Sequence, residues 1–154
     1  MELKRVVVTG LGALTPIGNN TAETWESLQK GVSGAGPITQ FDASKFKTQF
    51  ACEVKGFDAS QHFDRKEARK FDRYAQLALV SATEAIEDAA LDLEKEDLNR
   101  IGVIFAAGIG GIRSFEDEVR DYSDERGPRF NPFFIPKIIA DIAAGHISIK
   151  YGFR

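Results

Sequence analysis

Apolar positions along this 154-residue chain follow three rhythms, each predicting a different kind of element. Val6-Val7-Val8 is an uninterrupted β-branched run. It fits a strand buried on both faces, because a half-exposed strand would alternate with polar residues. Ile101-Gly102-Val103-Ile104-Phe105-Ala106-Ala107 predicts a second strand of the same kind. Between them, Thr48 to Val54 alternates: Phe50, Cys52 and Val54 stand between polar or small neighbours and predict a strand with one buried face. The third rhythm is helical. Phe71, Ala75, Ala78, Leu79, Ala82, Ala85, Ile86 and Ala89 predict one long helix from about Arg65 to Ala90, its alanines suited to close packing on a flat surface.

Turn residues place the remaining boundaries. Gly10, Gly12, Pro16 and Gly18 build a turn after the first strand. A helix follows from an Asn20 N-cap, with Glu23 as the reciprocal acceptor, and runs through Trp25 and Leu28 to Gly31. Gly108-Ile109-Gly110-Gly111 closes the second strand and opens a polar helix through Glu116 and Val119. Pro132-Phe133-Phe134-Ile135-Pro136 is apolar, but its two prolines bar a central strand. A last helix is predicted from near Pro136 to Tyr151. Two doubly buried strands and three apolar helices do not complete a sheet, which needs neighbours at both edges and cover on both faces. Residues 1–154 therefore read as part of a larger α/β domain.

Composition narrows the class. Hydrophobic residues make up 43% and charged ones 28%, as in a soluble globular protein. A net charge of −3 argues against a surface given wholly to nucleic acid. No stretch reaches transmembrane length, and the apolar run after Arg5 is too short for a signal sequence. Cys52 is the only cysteine, so neither an internal disulfide nor a cysteine metal cluster is expected, and a reducing, cytoplasmic compartment is the simple inference.

Few residues offer chemistry on their own. The strand-turn-helix opening invites a nucleotide-binding reading, but the glycines lack the fingerprint spacing, with Leu14 and Pro16 where a dehydrogenase turn needs glycine. Gly108–Gly111 reads as a tight turn rather than a phosphate loop, which would need longer spacing and a Lys-Ser/Thr pair. His146, on an apolar helix, reads as a hydrogen-bonded core histidine, and Cys52 as a packing residue. No nucleophile–base constellation can be built around either or around His62. The stretch Asp64 to Arg73 holds five basic and three acidic residues, with Lys66, Arg69, Lys70 and Arg73 at helical spacing along one stripe. It is a solvated helix face or a docking patch for an acidic partner.

Taken in order, these segments resemble the N-terminal part of the β-ketoacyl-acyl-carrier-protein synthases. The shared elements are the opening of residues 6–18 with its TGLG…TP-I-G turn, Arg65-Lys66-Glu67-Ala68-Arg69-Lys70, Arg100-Ile101-Gly102 with Gly108–Gly111, Gly127-Pro128-Arg129, Asn131-Pro132-Phe133-Phe134, and Ala144-Gly145-His146 with Tyr151-Gly152. The type II synthases match better than type I around Gly127 to Phe134.

The resemblance implies a thiolase-like αβαβα layered sandwich with a mixed, mostly parallel sheet and covering helices, working as a cytoplasmic homodimer in fatty-acid elongation. It implies a decarboxylative Claisen condensation of acyl-enzyme with malonyl-acyl-carrier protein, with no cofactor beyond the carrier's phosphopantetheine arm. Residues 1–154 would end before the nucleophile strand, so the catalytic Cys is expected just beyond Arg154 and no catalytic residue is assigned here; the 154 residues alone are expected to be inactive. Ile109 matches the residue gating the acyl tunnel, and Phe133 the one lining the partner subunit's tunnel. Lys66, Arg69, Lys70 and Arg129 match the basic surface that meets the acidic carrier protein. Neither nucleic acid nor membrane is an expected partner. A non-catalytic chain-length-factor-like partner and a nucleotide-binding α/β module stay open as alternatives.

Overall fold

A computed structural model describes residues 3–122 and 131–154. Its described residues fall into two compact units, one running to Phe57 with Thr83–Ala90 added, the other made of Asp58–Ala82 and Leu91–Arg154.

In the first unit, helix α1 (Thr21–Gln29) begins as the sequence predicts. The Asn20 side chain accepts from Glu23 N at 2.8 Å, while the Glu23 carboxylate accepts from Asn19 N, one residue earlier than a standard capping box. Strands β1 (Ala35–Pro37) and β2 (Phe50–Cys52) pair antiparallel, with Gly36 opposite Ala51. The predicted buried face of this strand is not buried: Phe50 and Cys52 are exposed and the intervening Ala51 is the more covered residue. In a two-stranded ribbon each strand has only one neighbour, and neither face has to be covered.

The second unit holds α2 (Arg65–Ala68), α4 (Ile112–Tyr122), α5 (Phe134–Ile138) and α6 (Ile142–Tyr151), together with the first half of α3 (Arg73–Asp88), whose last turns belong to the first unit. Ala75, Ala78 and Ala143 form its core at 1% exposure or less, flanked by Phe71, Tyr74 and Phe105. Alanine at all three positions lets α3 and α6 approach closely.

Three expectations are corrected. The single helix over Arg65 to Ala90 is two helices, because Asp72 turns its carboxylate onto Tyr74 N at 3.0 Å and caps α3. The last predicted helix is likewise split into α5 and α6 around Ile139 to Asp141. Val6–Val8 and Ile101–Ala107 are not strands in this structure, for no neighbouring chain among the described residues offers them a ladder. Val6 is 89% exposed and Ile104 is 100% exposed. Ile101, Val103, Phe105 and Ala107 are half-buried while Gly102, Ile104 and Ala106 face out, so that segment is extended and covered on one side only.

Candidate functional site

The opening turn is held by the end of α3. Leu11 N donates to Asp88 Oδ2 at 2.8 Å, and one Glu84 carboxylate accepts from both Ala13 N at 2.8 Å and Thr21 N at 2.7 Å. Gly10 permits this approach, since a Cβ there would lie 2.2 Å from the Ala85 carbonyl oxygen. The amides that a dinucleotide phosphate would need are thus bonded to carboxylates, which also repel phosphate. The nucleotide-binding alternative fails on this geometry.

The basic segment lies around α2. Asp64 accepts from Lys66 N at 2.7 Å and Glu67 N at 2.8 Å, capping a helix of one turn. Lys66, Arg69 and Lys70 are exposed, and no ion pair among the described residues involves them. Because α2 ends at Ala68 and α3 starts at Arg73, the four cations do not share one helical stripe. They lie instead along a helical turn and the bend after it. Arg129, with Gly127 and Pro128, falls outside the described residues.

Ile109 sits in the turn before α4 with 69% of its surface exposed. Gly111 N donates to the Ile138 carbonyl at 3.3 Å, and a Cβ on Gly111 would lie 2.1 Å from the Lys137 carbonyl oxygen. This turn therefore rests directly on the end of α5. Phe133, partly exposed, sits at the start of α5, where its amide donates to Asn131 Oδ1 at 2.9 Å. A cavity of about 230 Å³ between α4 and α5 is lined by Phe115, Glu118, Val119, Tyr122 and Phe134.

His146 lies edge-on to Phe71, 4.6 Å between ring centres, beside a cavity of about 350 Å³ shared with His62, Glu67 and Lys150. It is not the hydrogen-bonded histidine the sequence predicts: its Nε2 is buried without a partner among the described residues, and burial pushes its pKa below the ordinary value. Cys52 is exposed rather than packed. Among the described residues, no three His, Cys, Asp or Glu side chains could hold a metal ion.

Comparison with known proteins decides the family. Residues 3–154 match the model of the β-ketoacyl synthase N-terminal domain. The chain belongs to the β-ketoacyl synthase family. It is 46% identical over 149 residues to 3-oxoacyl-[acyl-carrier-protein] synthase 2 of Staphylococcus aureus, covering 97% of this chain and 36% of that protein. The synthase segment thus spans about a third of the length of the curated relative it matches. Among solved structures it is similar to the ishigamide ketosynthase/chain length factor, with a TM-score of 0.83 and 25% identity over 96% of this chain and 37% of that one. A type II PKS acyl-carrier protein in complex with its ketosynthase bound to the hexaketide gives a TM-score of 0.76 and 26% identity, covering 96% of this chain and 39% of that one. The fold is accordingly that of the N-terminal part of the thiolase-like α/β ketosynthases.

The sequence reading missed Asp72, Tyr74, Glu84 and Asp88. The first two sat inside a helical periodicity that ran on unbroken. The other two look like solvated helix charges until the turn they clamp is in place.

Proposed function

We propose that this chain is the N-terminal portion, residues 1–154, of a 3-oxoacyl-acyl-carrier-protein synthase of type II, an acyltransferase of fatty-acid elongation. The observation that carries the reading is the 46% identity to such a synthase across 97% of the chain. In the complete enzyme a cysteine beyond Arg154 takes the acyl group from the carrier's phosphopantetheine thiol as a new thioester. Malonyl-carrier protein then loses carbon dioxide, and the resulting carbanion attacks the acyl carbonyl, expelling the cysteine thiolate. Backbone N–H groups hold the oxyanion that forms.

This segment's share is recognition. Lys66, Arg69, Lys70 and Arg129 receive the acidic carrier protein, a role supported by the carrier complex of a similar ketosynthase. Ile109 gates the acyl pocket, and Phe133 lines the pocket of the other subunit in a homodimer. We place the enzyme in the cytoplasm, without a resident cofactor; among the described residues no helix is long and apolar enough to cross a membrane.

The test is condensation of an acyl-carrier protein with malonyl-carrier protein by the full-length protein. Release of carbon dioxide with formation of 3-oxoacyl-carrier protein supports the reading. The segment's likeness to a ketosynthase/chain length factor favours one rival, a non-catalytic partner subunit. Absence of a cysteine in the strand after Arg154, with no condensation, would establish that rival.

A further inference from the structure

The first turn of α3 ties together two places that the proposed function keeps apart, the carrier-docking segment and the acyl gate. Asp72 is 7% exposed, and among the described residues it is the one buried charged or polar side chain. Oδ1 accepts from Tyr74 N, while Oδ2 accepts from Ser114 Oγ at 2.6 Å and Ser114 N at 3.3 Å, 42 residues away. Ser114 stands in the first turn of α4, whose dipole favours a carboxylate there, three residues after Gly111 and five after Ile109. Two further bonds close a ring. Tyr74 Oη donates to the Ile139 carbonyl just after α5, and Gly111 N donates to the Ile138 carbonyl beside it. The start of α3 therefore grips the start of α4 and the end of α5, and those two grip each other.

We propose that Asp72 is a positioning residue that fixes the Ile109 turn relative to the basic segment of residues 66–70. The proposal rests on the reading of Ile109 as a gate. The chemistry requires a carboxylate at this position: Oδ1 and Oδ2 both accept, and an amide would set one NH2 against the Ser114 N–H. Ser114 contributes the hydroxyl that selects its half of the bond. The geometry fixes where the gate sits, and so which acyl lengths pass it.

The experiment uses the full-length protein as wild type, Asp72→Asn, Ser114→Ala and Ser114→Thr, the last restoring the hydroxyl. Hydrogen exchange at the amides of residues 109–114 should quicken about tenfold or more in Asp72→Asn and Ser114→Ala, and stay near wild type in Ser114→Thr and at the α1 amides of all variants. The ratio of kcat/KM for long against short acyl donors should shift by about fivefold in the same two variants, with KM for the carrier protein changed by less than about twofold. Unchanged exchange at 109–114 overturns the link. Faster exchange with an unchanged ratio, or an equal loss for all donors with a lowered Tm, reduces Asp72 to a packing role and overturns the positioning role. A wild-type protein without condensing activity would defeat the functional reading, and the exchange measurement would then decide the Asp72 link by itself. If Asp72→Asn fails to fold, Ser114→Ala decides, since it removes one hydroxyl and leaves the α3 cap intact.

Discussion

Lys66 and Arg69 are exposed and in no ion pair among the described residues, so in the proposed docking role they would act before contact, by attracting a partner of opposite sign. Reversing them with Lys66→Glu and Arg69→Glu in the full-length enzyme should slow association with carrier protein by about tenfold at low salt, with the deficit shrinking as salt rises. Stopped-flow binding measures this, and acyl-CoA donors serve as the control that should barely change. Equal loss with both donors would return the segment to a solvated face. Ile109→Phe should reject long acyl donors and spare short ones in a panel of acyl chain lengths. Overpacking of a core would instead cost about 1–3 kcal/mol and depress every donor alike. His146 makes a third residue-scale prediction. Burial holds its folded-state pKa below the ordinary value of 6.5, so the unfolded chain binds the proton more readily. The contribution of the neutral ring to stability is then complete above about pH 6.5 and falls as pH drops through that value toward the folded pKa. His146→Gln should flatten the acid side of a Tm-against-pH curve; an unchanged slope would place the acid sensitivity elsewhere.

Elements are where sequence legibility divided. Helix α1 and the start of α4 could be read because local signals decide them: an Asn cap, a glycine turn, a run of polar residues. The long alanine helix could be read in content but not in extent. Asp72 lies at a position where helical periodicity continues, and there its carboxylate caps Tyr74 N and also takes the Ser114 hydroxyl, 42 residues on, a partner no local pattern reveals. The two apolar runs were read as strands from their faces alone, yet a strand exists only with a neighbour, and pairing is not written in the run itself. Of the proposed site, Lys66, Arg69, Lys70, Ile109 and Phe133 are named by family resemblance alone, and the contacts around them are not legible in the sequence. The turn-to-helix join gives an element-scale prediction. Gly111→Ala places a Cβ against the backbone carbonyl of Lys137, and neither backbone can yield cheaply. It should lower stability by about 1–3 kcal/mol, read from the denaturation midpoint of the full-length protein. A wild-type midpoint would mean that α5 is free to move away.

At the scale of the whole molecule, many large apolar side chains stand exposed among the described residues: Val6, Val7, Val8, Leu11, Ile104 and Ile149 are all open to solvent. Exposed apolar side chains in such number favour association. The purified 154-residue chain should self-associate at micromolar concentration and bind a hydrophobic dye, as measured by light scattering and fluorescence. It should not turn over carrier-bound acyl groups. A monodisperse monomer with a sharp melting transition would refute that expectation. The clamp on the opening turn sets a timetable as well. Ala13 and Thr21 reach their shared carboxylate at Glu84 across 71 and 63 residues of chain. During synthesis the ribosome delivers that turn first and its partner much later, and closing so long a loop has an entropic cost before any bond forms. The turn of residues 11–21 is thus made early and settles late, because its amides stay without their carboxylate partners until the end of α3 has been made.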